Sequence, residues 1–111
     1  MDARSTRLLT VIGLVESGTS YTSRELAARI RVTPPALRRL FKHETGVCFG
    51  EWLTEQRLQR AADLLAESFL SVKEITHAVG YEHPSSFIRA FERRFMLAPS
   101  SYRAQRARSP R

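Results

Sequence analysis

These 111 residues predict an all-α domain: seven helices forming two helix-turn-helix subdomains joined by a long linker helix. Three observations lead there. Apolar residues recur at i, i+3, i+4 and i+7 in short runs, each run is bounded by a capping residue, a proline or a glycine, and two of the runs repeat one another. No strand is predicted.

In order along the chain, segment 5–17 places Leu8, Val11, Ile12 and Val15 on one helical face, and Gly18 stops it. Thr22 and Ser23 are N-cap residues for "RELAARI", whose stripe is Leu26, Ala27 and Ile30, with a break at Arg31-Val32. "TPPALRRLFKHETG" then starts a helix rather than breaking one. Thr33 caps it, and a proline at the first helical position loses no hydrogen bond, because its missing N–H would be unpaired there anyway. Pro35 extends the same logic to the second position. Leu37, Leu40 and Phe41 follow at helical spacing, and Gly46 ends the element.

From Phe49 a single helix rich in good helix formers runs to about Ser68, a rod of about 28 Å at 1.5 Å per residue. Ser71 caps "VKEITHAV", with Ile75 and Val79 inward, and Gly80 closes it. Pro84 opens a helix carrying Phe87, Phe91 and Phe95 at i, i+4 and i+8. Pro99 starts a last short helix through Tyr102, and "RAQRARSPR", with no apolar stripe, reads as frayed. The resulting segmentation is 5–46 and 69–107 for the two subdomains, 47–68 for the linker helix, and 108–111 for a basic tail.

Composition narrows the function. Eighteen Lys and Arg against 11 Asp and Glu leave a formal net charge of +7, a field that favours a polyanion. An interfacial membrane helix would need its basic and apolar faces in one segment, whereas here each short helix has its own stripe, the pattern of a shared core. No apolar run is long enough to span a bilayer, and the N-terminal stretch lacks a cleavage pattern, so a cytoplasmic protein is expected. Cys48 is the only cysteine, which excludes an intramolecular disulfide. His43, His77 and His83 have no metal-ligand spacing with carboxylates or Cys48, so no metal is expected. The chain shows neither a nucleophile-base-orienter set nor a glycine-rich phosphate loop, so no catalytic residue, no enzyme activity and no cofactor is expected. Cys48, at a helix start, reads as inert; Trp52 and the phenylalanine stripe read as core.

The repeat carries the functional reading. Glu25-Leu26 overlays Glu74-Ile75, Ile30 overlays Val79 and, after one extra residue in the second copy, Pro34 overlays Pro84, Leu37 Phe87, Arg39 Arg89 and Phe41 Phe91. Each copy is a helix-turn-helix, whose second helix offers its N-terminal half to a DNA major groove while its other face locks onto the first helix. Arg38 and Arg39 in one copy, and Ser85, Ile88 and Arg89 in the other, are left on or near the open face. Arginine forks match guanine O6 and N7; Ser85 can hydrogen-bond or admit a close backbone; Ile88 can meet a thymine methyl. The linker rod falls short of the separation between successive major-groove faces on straight DNA, about 34 to 36 Å, which favours bent DNA.

With these residues in view the sequence resembles the DNA-binding domain of the AraC/XylS family of bacterial transcription regulators over about residues 8 to 103. "SVKEITHAVGYEHPSSFIRAFERRFMLAPSSYR" resembles that family's second helix-turn-helix signature, and "ELAARIRVTPPALRRLFKHETGVCFGEWL" resembles the first unit with the entry to the linker. The resemblance implies a two-reader domain, monomeric on double-stranded DNA, in which the first recognition helix makes most base contacts. By position it assigns base reading to Pro35, Arg38, Arg39, Ser85, Ile88 and Arg89. It also marks departures: Arg31 stands at a turn position usually held by glycine, strained unless it keeps a negative φ, and Met96 replaces a frequent glycine after Phe95. Most members carry a sensing domain too, for which this sequence has no residues, so a small single-domain member or an excised domain is expected. The expected function is a sequence-specific transcription activator, with RNA polymerase as a further partner. The alternative is a protein-interaction module meeting the polymerase or a partner regulator without specific DNA binding.

Overall fold

The computed structural model describes residues 6–18 and 20–108. Among these residues there are seven helices and no strand: α1 (Thr6–Glu16), α2 (Ser23–Arg29), α3 (Pro34–Thr45), α4 (Phe49–Glu67), α5 (Val72–Ala78), α6 (Pro84–Phe95) and α7 (Pro99–Arg108). The expected start at residue 5 and the tail beyond Arg108 lie outside the described residues. The chain forms two compact units, Met1–Gln56 and Arg57–Arg111, so the division falls inside α4.

In the first unit Leu8 and Val11 of α1, Leu26 and Ala27 of α2, Ile30, Leu37 and Phe41 of α3, and Phe49 and Leu53 of α4 are buried in one cluster. Phe41 meets Phe49 edge-on at 5.2 Å and lies 5.1 Å from the Trp52 ring, so the aromatic residues close the core where α3 hands over to α4. The second unit has its own cluster, with Leu58, Ala61, Ala62 and Leu65 of α4, Ile75, Val79, Phe87 and Phe91. Phe95 and Tyr102 pack against it half-buried.

The repeat extends to atomic detail. Thr22 and Glu25 form a reciprocal capping box: the Thr22 N–H donates to Glu25 Oε1 at 2.8 Å, and the Glu25 N–H donates to Thr22 Oγ1 at 3.0 Å. Ser71 and Glu74 reproduce it at 2.8 and 3.0 Å. The Ser71 backbone N–H, and after it the Ser71 side chain, hold the Glu74 carboxyl below its ordinary value of 4.5. Because the folded pKa is depressed, this contribution is complete above the unfolded value and is lost as pH falls through the folded one. Ser71→Ala should lower stability by about 1 kcal/mol at neutral pH. Glu74→Gln, which removes the titrating carboxyl, should show a flatter acid limb in urea titrations across the acid range.

Thr33 caps α3 through the Ala36 N–H at 3.2 Å, with proline at the first two helical positions. Two turn positions carry a left-handed backbone in each unit, and the glycine alternates between them. Arg31 (φ 60) and Gly46 (φ 79) in the first unit correspond to Gly80 (φ 98) and Met96 (φ 63) in the second. The negative φ that would have relieved Arg31 is therefore absent: the helix-turn-helix geometry forces the left-handed region at this position whichever residue occupies it. A non-glycine residue there costs about 1–2 kcal/mol. Met96 is 83% exposed and closes α6 through its N–H to Glu92 O, so its side chain adds no packing. Met96→Gly should raise stability by about 0.5–1 kcal/mol, after allowing for glycine's greater unfolded-state freedom, as a higher thermal midpoint.

The last helix differs from expectation. It does not end at Tyr102 but runs to Arg108. Polar contacts replace the missing apolar stripe: Arg103 donates from Nε to Leu65 O at 3.0 Å and from Nη2 to Ser68 O at 3.2 Å, satisfying carbonyls at the end of α4. Arg106 donates to Tyr102 Oη and lies 5.2 Å over the same ring.

Candidate nucleic-acid interface

With Leu37 and Phe41 of α3 turned into the first core, the opposite face of the helix is fixed by its 3.6-residue period. Pro35, Arg38, Arg39, Lys42 and His43 follow one another at i, i+3, i+4, i+7 and i+8; all five are exposed and together line one shallow, open depression. Lys42 donates from Nζ to Gly46 O at 3.0 Å, which ties its charge to the C-terminal end of the helix. The sequence-predicted Pro35, Arg38 and Arg39 thus share a face. Lys42 and His43 join them, and the same spacing carried one turn further identifies both.

On α6 the corresponding positions are Ser85, Ile88, Arg89, Glu92 and Arg93. Ser85 and Arg89 are exposed. Ile88 corrects the expectation of an open apolar residue: it is half-buried and packs against the second core, because the position after buried Phe87 lies at the border of the apolar arc. The two faces differ in charge. At these face positions α3 carries three permanent cations, Arg38, Arg39 and Lys42, whereas on α6 the Glu92 carboxylate offsets one of Arg89 and Arg93.

Arg57 of α4 and Tyr81 in the turn before α6 lie close enough to influence one another electrostatically. Burial pushes the Arg57 guanidinium below its ordinary value, an effect that nearby Tyr81 opposes. Burial pushes the Tyr81 hydroxyl up, and Arg57 opposes that.

Among the described residues no three of His, Cys, Asp and Glu come together to hold a metal ion. Cys48 and all three histidines are exposed. No helix among them is long and apolar enough to cross a membrane.

Two helix-turn-helix units, each presenting an exposed helix face that carries arginine, define a DNA-binding domain of double helix-turn-helix type. A family model described as "Helix-turn-helix domain" matches residues 26–105. The HTH-type transcriptional regulator CdhR of Pseudomonas aeruginosa is 39% identical over 100 residues, covering 88% of this chain and 30% of that protein. The uncharacterized HTH-type transcriptional regulator YtdP of Bacillus subtilis is 33% identical over 91 residues, 82% of this chain and 12% of its own length. The chain therefore spans less than a third of either relative. Among solved structures, the DNA-binding domain of AdpA, a global transcriptional factor crystallised with a target DNA, superposes with a TM-score of 0.81 at 32% identity, covering 96% of this chain and 99% of that one. An AraC-type regulator from Chromobacterium violaceum gives 0.74 at 28% identity, covering 94% and 95%. The chain belongs to the AraC-type helix-turn-helix family of transcription regulators.

Proposed function

We propose that this domain binds duplex DNA sequence-specifically and activates transcription, reading major-groove bases with α3 first and α6 second. The carrying observation is the α3 face on which Pro35, Arg38, Arg39, Lys42 and His43 share one exposed surface. In this reading Arg38 and Arg39 fork to guanine, Lys42 lies against phosphate, and Pro35 admits close approach of the helix to the groove floor. Arg89 and Ser85 supply a weaker second set of contacts, and Ile88 reaches a thymine methyl only along its exposed edge. The domain acts in the cytoplasm as a monomer on DNA, with RNA polymerase as the partner that converts binding into activation. It carries no catalytic role.

The test is a titration of the chain against a duplex selected from a random pool and against a scrambled duplex of equal length. The selected duplex should bind about 1,000-fold or more tightly, and both affinities should fall steeply with salt. Equal affinity for the two refutes base readout. Absence of binding at low salt favours a protein-interaction module instead.

A further inference from the structure

Arg31 combines three properties that stability alone does not explain. Its backbone sits at φ 60, where the matching residue of the second unit is Gly80 at φ 98. Its side chain is exposed, so it fills no core. Among the described residues no hydrogen bond, ion pair or ring contact engages its guanidinium, and its backbone N–H, bonded to Ala28 O at 3.1 Å, would serve equally in glycine. A cation is therefore held in a strained turn without packing or pairing in return.

Its place in the fold supplies the reason. Arg31 precedes Pro34, the first residue of α3, by three residues, on the turn that delivers the N-terminal half of the first recognition helix. In a helix-turn-helix that half enters the groove, and the backbone just ahead of it runs beside the phosphates that wall the groove. We propose that Arg31 is a DNA-backbone contact, its guanidinium forking onto phosphate oxygens beside the groove that α3 reads and so fixing how the helix is seated. This rests on the DNA-binding reading above. The planar fork suits phosphate bidentately, and its exposure leaves it open to a duplex.

Thermal melts and salt-dependent titrations of four chains, wild type, Arg31→Gly, Arg31→Lys and Met96→Gly, test this on the selected and scrambled duplexes. Arg31→Gly should melt higher than wild type yet bind both duplexes about 3- to 10-fold more weakly, with a salt slope shallower by about 1. Arg31→Lys, which keeps the charge, should recover most of the affinity on both. Met96→Gly should melt higher with unchanged affinity. The proposal is overturned if Arg31→Gly binds like wild type with the same salt slope, if its loss is confined to one base position, or if Met96→Gly loses affinity equally. A wild-type chain that binds neither duplex overturns the DNA-binding reading itself, a result distinct from all of these.

Discussion

Arg39→Ala will weaken binding to the selected duplex by about 1–3 kcal/mol and relax the preference at one base position. Arg39 is exposed on α3 between buried Leu37 and Phe41, so truncating it removes a hydrogen-bonding fork without opening the core. Circular dichroism and the melting temperature should stay close to wild type, which separates a lost contact from a lost fold. Binding to sets of single-base variants supplies the discriminating measurement. An arginine that forks to a guanine loses affinity for the sequence holding that guanine and little for the others. A uniform loss across every sequence would mark Arg39 as a phosphate contact and move base reading to Arg38.

Phe91→Ala will destabilise the second unit by about 3–5 kcal/mol. The ring is fully buried and lies 5.7 Å from Phe87, 4.6 Å from Phe95 and 5.4 Å, edge-on, from Tyr102. Its removal therefore costs burial, leaves a cavity, and breaks three ring contacts, of which the one with Tyr102 joins α6 to α7. Against a total stability of about 5–15 kcal/mol for an ordinary domain, this is a large fraction. Trp52, the only tryptophan, packs against the first core, so its fluorescence follows that unit while far-ultraviolet circular dichroism follows both. Urea denaturation of Phe91→Ala should show the circular dichroism midpoint falling sharply. A midpoint within the error of wild type would exclude Phe91 as the keystone of this core.

Most of the helical boundaries were legible because their causes are local. Thr22, Thr33 and Ser71 satisfy N–H groups three residues away, prolines open α3, α6 and α7, and the stripes Leu8-Val11 and Phe87-Phe91 state their own periodicity. The length of α7 was not legible, because its anchors, Leu65 O and Ser68 O, lie 38 and 35 residues upstream of Arg103. The sign of φ at Arg31 stayed open, since arginine itself carries no mark of a left-handed turn; the glycine at the matching position of the repeat and the glycine usual there in the family it resembles are the hints. On the candidate interface, period alone placed Arg38 and Arg39 outward. It misjudged Ile88, because a residue one step from a buried phenylalanine sits on the edge of the apolar arc, where depth depends on how the neighbouring helix packs.

The passage of α4 from one unit to the other bears on how the chain is made. Every buried residue of the first cluster lies between Leu8 and Leu53, and every buried residue of the second between Leu58 and Phe91; the two sets do not interleave. A ribosome emitting the chain thus releases one complete set of core residues before the first member of the other. Domains assemble as units during synthesis, and short sequence separation favours rapid assembly. The nascent chain can bury Phe41 and Phe49 before the aromatic residues of α6 have emerged, so the first unit can form ahead of the second.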